Sequence, residues 1–167
     1  VAGSRVDLVR STIGMAVRAG APKPDISSVA ALTATLLRAK SIAYSASASG
    51  IYLSTELFQQ LGIADRVLPK SKNAAGERVA ALVARGEAEI GFQQKSELLP
   101  EPGIDYVGPL PPAVQRVTVF SAGIVVGAKK PEEARALVRF LASADVMPII
   151  RTAGLEPVET PEPSNVR

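Results

Sequence analysis

Three alternating serines and a glycine lie where a predicted strand turns into a predicted helix. They are Ser45, Ser47, Ser49 and Gly50, in the stretch AYSASASGIYL that starts at Ala43. The first N–H groups of a helix have no intrahelical partner and carry partial positive charge, so a helix start can hold an anion. Serine hydroxyls would add uncharged donors, and a glycine would let a ligand reach the backbone. This chemistry predicts a site for an oxyanion or carboxylate. The alternative is a serine that merely caps a structural helix, and this stretch alone favours the cap.

Two further groups of residues follow neighbouring predicted elements. Asn73-Ala74-Ala75-Gly76 has the same small-residue character and is predicted to begin a second helix, while Gln93 and Gln94 end another predicted strand. In open α/β sheets, ligands bind outside the carboxyl ends of the strands, so these residues could share one crevice with the serines. The alternative for each Gln is a solvated side chain at a strand end, and taken alone that alternative is favoured.

The composition excludes several kinds of chemistry. The 167 residues include no Cys and no His, which removes thiol nucleophiles, disulfides, the usual general base near neutral pH and the commonest metal ligands. No cofactor and no metal are expected. The formal net charge is +3 without a run of like charges, so nucleic acid is not an expected partner. The longest apolar stretch, Phe120 to Ala128, is too short to cross a bilayer. Because the chain opens at Val1, we expect a processed product or a fragment.

Hydrophobic periodicity and turn residues predict the elements that must position these groups. Leu98 to Gln115 holds five prolines and is predicted to form extended chain and turns. Strands and helices otherwise alternate, which predicts a mostly parallel sheet covered by helices. The predicted elements are strand 13–17, a helix from a cap at Ser27 or Ser28 to Ala39, strand 41–44, helix 49–61, edge strand 67–72, a helix from a cap at Asn73 to Gly86, strand 89–93, the longest strand at 117–126, and helices 131–141 and 145–153.

Several segments resemble the molybdate-type periplasmic solute-binding proteins of ABC importers. They are SGIYLSTELFQQLGIADRV (49–67), ERVAALVARGEAEIGFQQKSELLP (77–100), VGPLPPAVQRVTVFSAGIVVGAKKPEEARALVRFLAS (107–143) and GLEP (154–157). The resemblance implies an α/β fold of the type II periplasmic-binding-protein architecture, with two lobes joined by two crossover strands. The first lobe would be incomplete, because a full member has a further stretch ahead of the first crossover. The implied division is a partial first lobe with the crossover strands at 1–24 and 113–157, a second lobe at 25–112, and a disordered tail at 158–167.

The family's ligand-binding positions carry over one at a time. A backbone donor of the family falls on Ser49, followed here by Gly50, Ile51 and Tyr52, and a second falls on or beside Gly76. A tyrosine that hydrogen-bonds molybdate in family members would lie near Gln94, and this departure puts molybdate in doubt. A Gln-Gln pair suits a larger or carboxylate-bearing anion at least as well. The predicted ligand-binding set is Ser45, Ser47, Ser49, Gly50, Tyr52, Gly76, Gln93 and Gln94.

The resemblance implies an extracytoplasmic, periplasmic protein that captures a small molybdate-like oxyanion or carboxylate for an ABC transporter. Its partners would be the small anionic ligand and the membrane permease subunits. An incomplete first lobe would expose apolar surface and sheet edges, so self-association is also predicted.

Two alternative functions stay open at this point. An isomerase of a small tricarboxylate such as aconitate could use the same scaffold, with Tyr44, Tyr52, Lys95 or Glu97 to transfer the proton. A ligand-sensing regulatory domain is the other alternative, although no helix-turn-helix pattern is visible. The chain without His or Cys favours binding over catalysis, because binding needs no nucleophile or base.

Overall fold

A computed structural model describes residues 1–158, which divide into two compact units. The central unit comprises residues 12–117, and the flanking unit comprises residues 1–11 and the chain from residue 118. The strands are β1 (Val6–Arg18), β2 (Ile42–Ser45), β3 (Ser71–Ala74), β4 (Ile90–Gln94), β5 (Ile104–Pro109), β6 (Val117–Ala122) and β7 (Glu156–Pro157). The α-helices are α1 (Val29–Arg38), α2 (Ala48–Tyr52), α3 (Phe58–Gln60), α4 (Ala64–Val67), α5 (Val79–Ala84), α6 (Lys95–Leu98), α7 (Pro131–Leu141) and α8 (Met147–Thr152).

The sheet of the central unit has the strand order β3-β2-β4-β1-β5. Strand β2 runs parallel to β3 and β4, with Tyr44 opposite Asn73 on one side and Phe92 on the other. Strand β1 is antiparallel to both β4 and β5. Strands β2, β3, β4 and β5 therefore run in one direction and β1 runs in the other, so the prediction of a mostly parallel sheet is wrong for β1, and the sheet is mixed. The hydrophobic pattern of a strand fixes which faces are buried but not which way its neighbour runs.

Helix α1 begins where the sequence predicts. Ser28 is its N-cap, and the side chain of Ser28 accepts a hydrogen bond of 3.1 Å from the N–H of Ala31. Leu32 and Leu36 lie four residues apart on one face and are fully buried. A cap and a helical repeat of apolar residues are local signals, which is why the prediction is confirmed.

The helix after the serine stretch is also confirmed, with one irregularity. Helix α2 continues through a π-helical turn, Leu53–Leu57, into α3. Gly62, with φ of +65°, follows in the left-handed conformation that ends many helices. Leu53 and Leu57 are fully buried in the core of the central unit. This packing holds the helix start beside the end of β2.

Two predictions between residues 67 and 86 are wrong. Val67 ends α4 and Pro69 lies in a 3₁₀ turn, Leu68–Lys70, where its missing N–H costs little, so the edge strand is Ser71–Ala74 instead of 67–72. Asn73 therefore belongs to β3 and caps no helix, because pairing with β2 holds it in the sheet. Gly76 lies in a turn with φ of +84°, and the next helix starts only at Val79.

The lengths of three other elements differ from the prediction. Strand β1 has 13 residues and is the longest strand in residues 1–158, since the polar lead-in before Ile13 also pairs. Strand β6 ends at Ala122, so the predicted strand 117–126 is too long. The proline-rich segment 98–115 contains the six-residue β5 as well as a 3₁₀ turn, Pro112–Val114.

The flanking unit consists of β6, β7, α7 and α8 with the first part of β1, to which β6 and β7 pair. Pro131 opens α7 as predicted, with Glu132 and Glu133 in the first turn, where carboxylates complement the helix dipole. The second predicted helix, 145–153, is observed as a 3₁₀ turn, Ala144–Val146, followed by α8.

The predicted lobe limits at residues 25 and 112 stay a prediction. Of the predicted tail, residues 159–167 lie outside the described residues, while the Val158 N–H donates to the carbonyl oxygen of Leu8 at 3.0 Å. Within residues 1–158, no helix is both long enough and apolar enough to cross a membrane.

Candidate anion-binding site

A cavity of about 580 Å³ lies in the central unit at the carboxyl ends of the parallel strands. Ser45 and Ala74 are the last residues of β2 and β3, and Gln93 is the next to last of β4. Parallel strands place these ends at one edge of the sheet, where α/β folds commonly bind ligands. The cavity is lined by Ser45, Ala46, Ser47, Ala74, Gly76, Glu77, Arg78, Gln93, Ser96, Glu97 and Pro100.

Three serine hydroxyls form a cluster at one side of this cavity. The Oγ atom of Ser45 lies 2.9 Å from the Oγ atoms of both Ser47 and Ser49, and the remaining pair is 3.5 Å apart. Ser45 and Ser49 are buried, whereas Ser47 is exposed. Three hydroxyls carry three protons and the two short contacts use two of them, which leaves one proton to donate to a ligand. Ser45 and Ser47 line the cavity, so two of the three hydroxyls that can present this proton belong to the cavity wall.

Gln93 supplies a second uncharged donor. The residue is 7% exposed, and its Oε1 atom accepts a hydrogen bond of 3.1 Å from the Val79 N–H, at the start of α5. An N–H group can bond only to the oxygen of the amide, which fixes the orientation of the side chain. The NH₂ group of Gln93 is then the part of the amide that a ligand in the cavity can use.

Charged side chains complete the lining of the cavity. Most of them were not predicted from the sequence. The Arg78 Nη1 atom lies 3.3 Å from the Glu101 carboxylate, and Glu77 is paired with Arg85 at 2.8 Å. Arg78 and Glu77 directly follow Gly76 in the turn before α5, so the neighbourhood of Gly76 is the signal that could have found them. Glu97, in α6, is the third charged residue of the lining.

Gly50 does not line the cavity, and position 50 requires a glycine for a different reason from the one predicted. A Cβ at this position would overlap the carbonyl oxygen of Ser45. The missing side chain therefore lets the helix start pack directly on the end of β2. Ser49 is likewise outside the lining and reaches the site through its hydroxyl contacts with Ser45 and Ser47.

Tyr52 and Gln94 are also outside the cavity lining. The Tyr52 hydroxyl donates to the carbonyl oxygen of Val114 at 2.9 Å, and the Arg116 guanidinium lies 4.1 Å from the centre of the Tyr52 ring. Burial raises the pKa of Tyr52. Gln94 is buried and lies opposite Ile13 in the β1–β4 ladder. Of the predicted site residues, the structure thus brings Ser45, Ser47, Gly76 and Gln93 together around one cavity.

The described residues offer no group of three or more His, Cys, Asp or Glu side chains that could hold a metal ion. The donors in the cavity are hydroxyl, amide and guanidinium groups, which suit an anion rather than a cation. What this arrangement can do chemically is bind carboxylate or other oxyanion groups.

Comparisons with known proteins agree with this fold. A family model described as bacterial extracellular solute-binding protein matches residues 1–156. A curated relative from Pseudomonas sp, named aconitate isomerase, is 51% identical over 155 residues, which cover 93% of this chain and 59% of the relative. The chain therefore spans less than two thirds of that relative's length.

Solved structures share the fold at low sequence identity. One is a substrate-binding domain assigned to a molybdenum ABC transporter of Clostridium difficile, at TM-score 0.72 and 22% identity, covering 95% of this chain and 69% of that domain. Another is the substrate-binding protein of an ABC transporter from Agrobacterium tumefaciens, at TM-score 0.68 and 18% identity, covering 95% and 53%. The predicted α/β fold of the periplasmic-binding-protein class is confirmed.

Proposed function

Because the chain belongs to the bacterial extracellular solute-binding protein family, we propose that its cavity captures a small anion that bears carboxylate groups. The observation that carries this proposal is the set of donors that meet around the cavity. Ser45, Ser47 and Gln93 contribute uncharged hydrogen-bond donors, and Arg78 contributes a planar guanidinium that can hold a carboxylate through two N–H groups. These groups donate hydrogen bonds to the oxygens of an ionised carboxylate, which accepts hydrogen bonds and donates none.

The choice of a carboxylate over molybdate has two supports. The cavity of about 580 Å³ is within the range of sites for organic ligands of moderate size, and a single tetrahedral oxyanion would fill little of it. The relative with 51% identity is named for aconitate, a small tricarboxylate. We therefore place aconitate-like carboxylates first and molybdate-like oxyanions second.

Within this proposal the protein works outside the cytoplasm, in the periplasm, and delivers its ligand to the permease subunits of an ABC transporter. The support is the family and the likeness to substrate-binding proteins of such transporters. No residue of the chain is assigned to the permease contact.

A second candidate function is the isomerisation of aconitate in the same cavity. The observation that favours it is the name of the curated relative, aconitate isomerase, at 51% identity. Both candidates require the cavity to bind the same class of anion, so one binding experiment tests their common part.

Calorimetric titration of the purified chain tests the binding proposal. We expect heat of binding with trans-aconitate, cis-aconitate or citrate, and none with molybdate or phosphate at equal concentration. A ligand present at a hundred times its Kd should also raise the free energy of unfolding by about 2.7 kcal/mol.

A matched pair of serine variants locates the site. Ser47→Ala removes a hydroxyl of the cavity wall and should weaken carboxylate binding about fivefold, which corresponds to ~1 kcal/mol for one hydrogen bond. Ser54→Ala is the control, because the Ser54 hydroxyl donates to the Gly50 carbonyl oxygen on the same helical segment and does not line the cavity. Absence of binding by every carboxylate, or an equal loss in both variants, would show that the proposal is wrong.

A further inference from the structure

We propose that Glu97 moves a proton between two carbon atoms of a tricarboxylate bound in the cavity, which would make Glu97 a catalytic residue. This inference rests on the proposed function in its isomerase form and names the group that carries out the chemistry. Glu97 lies in α6, which directly follows β4, and it lines the same cavity as Ser47 and Gln93.

Glu97 differs from the other carboxylate of the cavity wall in having no counter-cation within residues 1–158. Glu77 is held by Arg85 at 2.8 Å, and Arg78 is held by Glu101 at 3.3 Å. Glu97 is half-buried, and no described residue gives it a hydrogen bond or an ion pair. Its carboxylate oxygens are therefore uncommitted, which a general base requires.

The other candidate acids and bases are less suitable. The Tyr52 hydroxyl donates to the Val114 carbonyl oxygen, and Tyr52 is outside the lining. Tyr44 and Lys95 also lie outside the lining. Among the four residues that the sequence proposed for proton transfer, Glu97 is the one that the fold places in the cavity wall.

An uncommitted carboxylate is unfavourable in a site that only binds anions, because like charges facing each other weaken binding. A neutral residue at position 97 would serve simple capture better. The same carboxylate is useful where the ligand carries an acidic C–H group, since general-base catalysis needs a base within reach of that proton. The charge of Glu97 thus points to proton transfer as well as to binding.

The proposed step balances without any further reactant. Aconitate has a CH₂ group next to its carbon–carbon double bond. A Glu97 oxygen forms an O–H bond with one proton of this CH₂, and the electron pair of the broken C–H bond delocalises across the double bond to the attached carboxylates. Protonated Glu97 then returns the proton to the former vinyl carbon, so that the double bond has moved by one carbon and can take the other geometry.

The donors around the cavity assist this step by stabilising charge. When the C–H electron pair delocalises, negative charge grows on the carboxylate oxygens of the ligand. Hydrogen bonds from Ser47, the Gln93 NH₂ group and the Arg78 guanidinium to those oxygens would strengthen as the charge grows, which is the condition for catalysis.

Proton NMR in D₂O tests the assignment. The chain incubated with trans-aconitate should place deuterium at the CH₂ and vinyl positions faster than a protein-free sample. Glu97→Gln should slow this exchange at least about 100-fold, the usual contribution of a general base, while trans-aconitate still binds with equal or higher affinity by calorimetry. Glu87→Gln is the matched control and should stay within about threefold of wild type, because Glu87 is paired with Arg85 at 2.7 Å and lies outside the cavity lining.

The possible outcomes separate the two proposals. If aconitate binds wild type but no deuterium exchange is seen, the role of Glu97 is overturned and the binding proposal stands. The same holds if exchange is seen and Glu97→Gln leaves its rate unchanged. Failure of aconitate to bind overturns both. If Glu97→Gln does not fold, Glu97→Asp, which shortens the side chain, is used in its place. Exchange that is at least tenfold slower at an unchanged melting temperature supports the role of Glu97, and an unchanged exchange rate contradicts it.

Discussion

The last residue of β2, Ser45, contacts the helix start through its backbone and the cavity through its side chain. Its carbonyl oxygen occupies the space that a side chain on Gly50 would need, and its hydroxyl lies 2.9 Å from the hydroxyl of Ser49. The position of the cavity donors therefore depends on a close backbone contact. A change at this contact should affect stability first and binding second.

Substituting Gly50 should be severely destabilising. Gly50→Ala forces a Cβ onto the Ser45 carbonyl oxygen, which belongs to the backbone and cannot move aside, so we expect a loss of at least about 3 kcal/mol in the free energy of unfolding. Gly20→Ala is the control: it has φ of +78° with no atom within 4 Å of the new Cβ, and should lose only about 1 kcal/mol from backbone strain. Urea denaturation measures both. Equal losses would show that the contact at Ser45 is not what requires Gly50.

Removing the hydroxyl of Tyr106 should not destabilise the protein. This oxygen is buried and has no hydrogen-bond partner among the described residues, and burial raises the pKa of Tyr106 to about 12. The ring itself packs where Gly14 leaves space in β1. Tyr106→Phe keeps the ring, so the free energy of unfolding should stay equal or rise by up to about 1 kcal/mol. A fall of that size in urea denaturation would show that the hydroxyl has a stabilising partner.

At the scale of elements, a cluster of three side chains fastens the helical segment 48–60 to the segment that follows Pro112–Val114. The Arg116 guanidinium contacts both carboxylate oxygens of Glu56, at 2.8 and 2.6 Å, and lies over the Tyr52 ring. Two-point contact and stacking restrict the guanidinium more than a single surface ion pair would. This cluster holds the helix whose start lies beside the cavity.

The contribution of Glu56 should depend on pH. Hydrogen bonds from Arg116 hold the pKa of Glu56 below its ordinary value. A carboxyl with a lowered pKa in the folded state stabilises the protein above its unfolded pKa of about 4.3 and loses this effect as the pH falls through the folded pKa. Wild type should therefore exceed Glu56→Gln in stability at pH 7, and the difference should vanish on acidification below the folded pKa. A difference that grows with acid would contradict the pairing.

The elements also show what the sequence can predict. Helix α1 and the segment 48–60 were predicted because caps and apolar repeats are local signals. The helix predicted from Asn73 is instead strand β3, since pairing with β2, which is distant in sequence, decides its conformation. The antiparallel direction of β1 is undetermined by its own hydrophobic pattern for the same reason.

The sequence likewise predicts some residues of the candidate site and misses others. The residues at strand ends, Ser45 and Gln93, were predicted because the topology of an α/β sheet brings such ends together. Gly50 was assigned to ligand access, although its role is backbone packing, because a single sequence does not show what lies against a glycine. The membership of Arg78 and Glu77 in the cavity wall depends on the turn after β3, which was predicted as a helix.

At the scale of the whole molecule, the two units differ in how much apolar surface they bury. The buried clusters of hydrophobic residues lie in the central unit, whereas Ile124 and Val146 are the buried hydrophobic residues described in the flanking unit. Burial of apolar side chains is the main source of stability. Hydrogen exchange measured by mass spectrometry should therefore find the slowest amides in β2, β4 and α1. Equal protection throughout β6, α7 and α8 would contradict this difference.

The flanking unit should also drive self-association. Leu137 and Phe140 are neighbours on one face of α7 and are 58% and 54% exposed. Sedimentation should show association that rises with concentration and weakens in the double variant Leu137→Ser with Phe140→Ser. Ile51→Ser, at a residue of similar exposure in the central unit, is the control and should leave association unchanged. A monomer at all concentrations would contradict the prediction that this exposed face of α7 drives self-association.

The most direct test of the proposed function is a titration of the ¹⁵N-labelled chain with trans-aconitate, followed by amide NMR spectra. We expect saturable shifts concentrated in residues 45–49, 76–79 and 93–97, the segments that surround the cavity. Shifts that are absent, or that cluster away from these segments, would contradict the claim that uncharged donors at the ends of β2 and β4 bind a carboxylate.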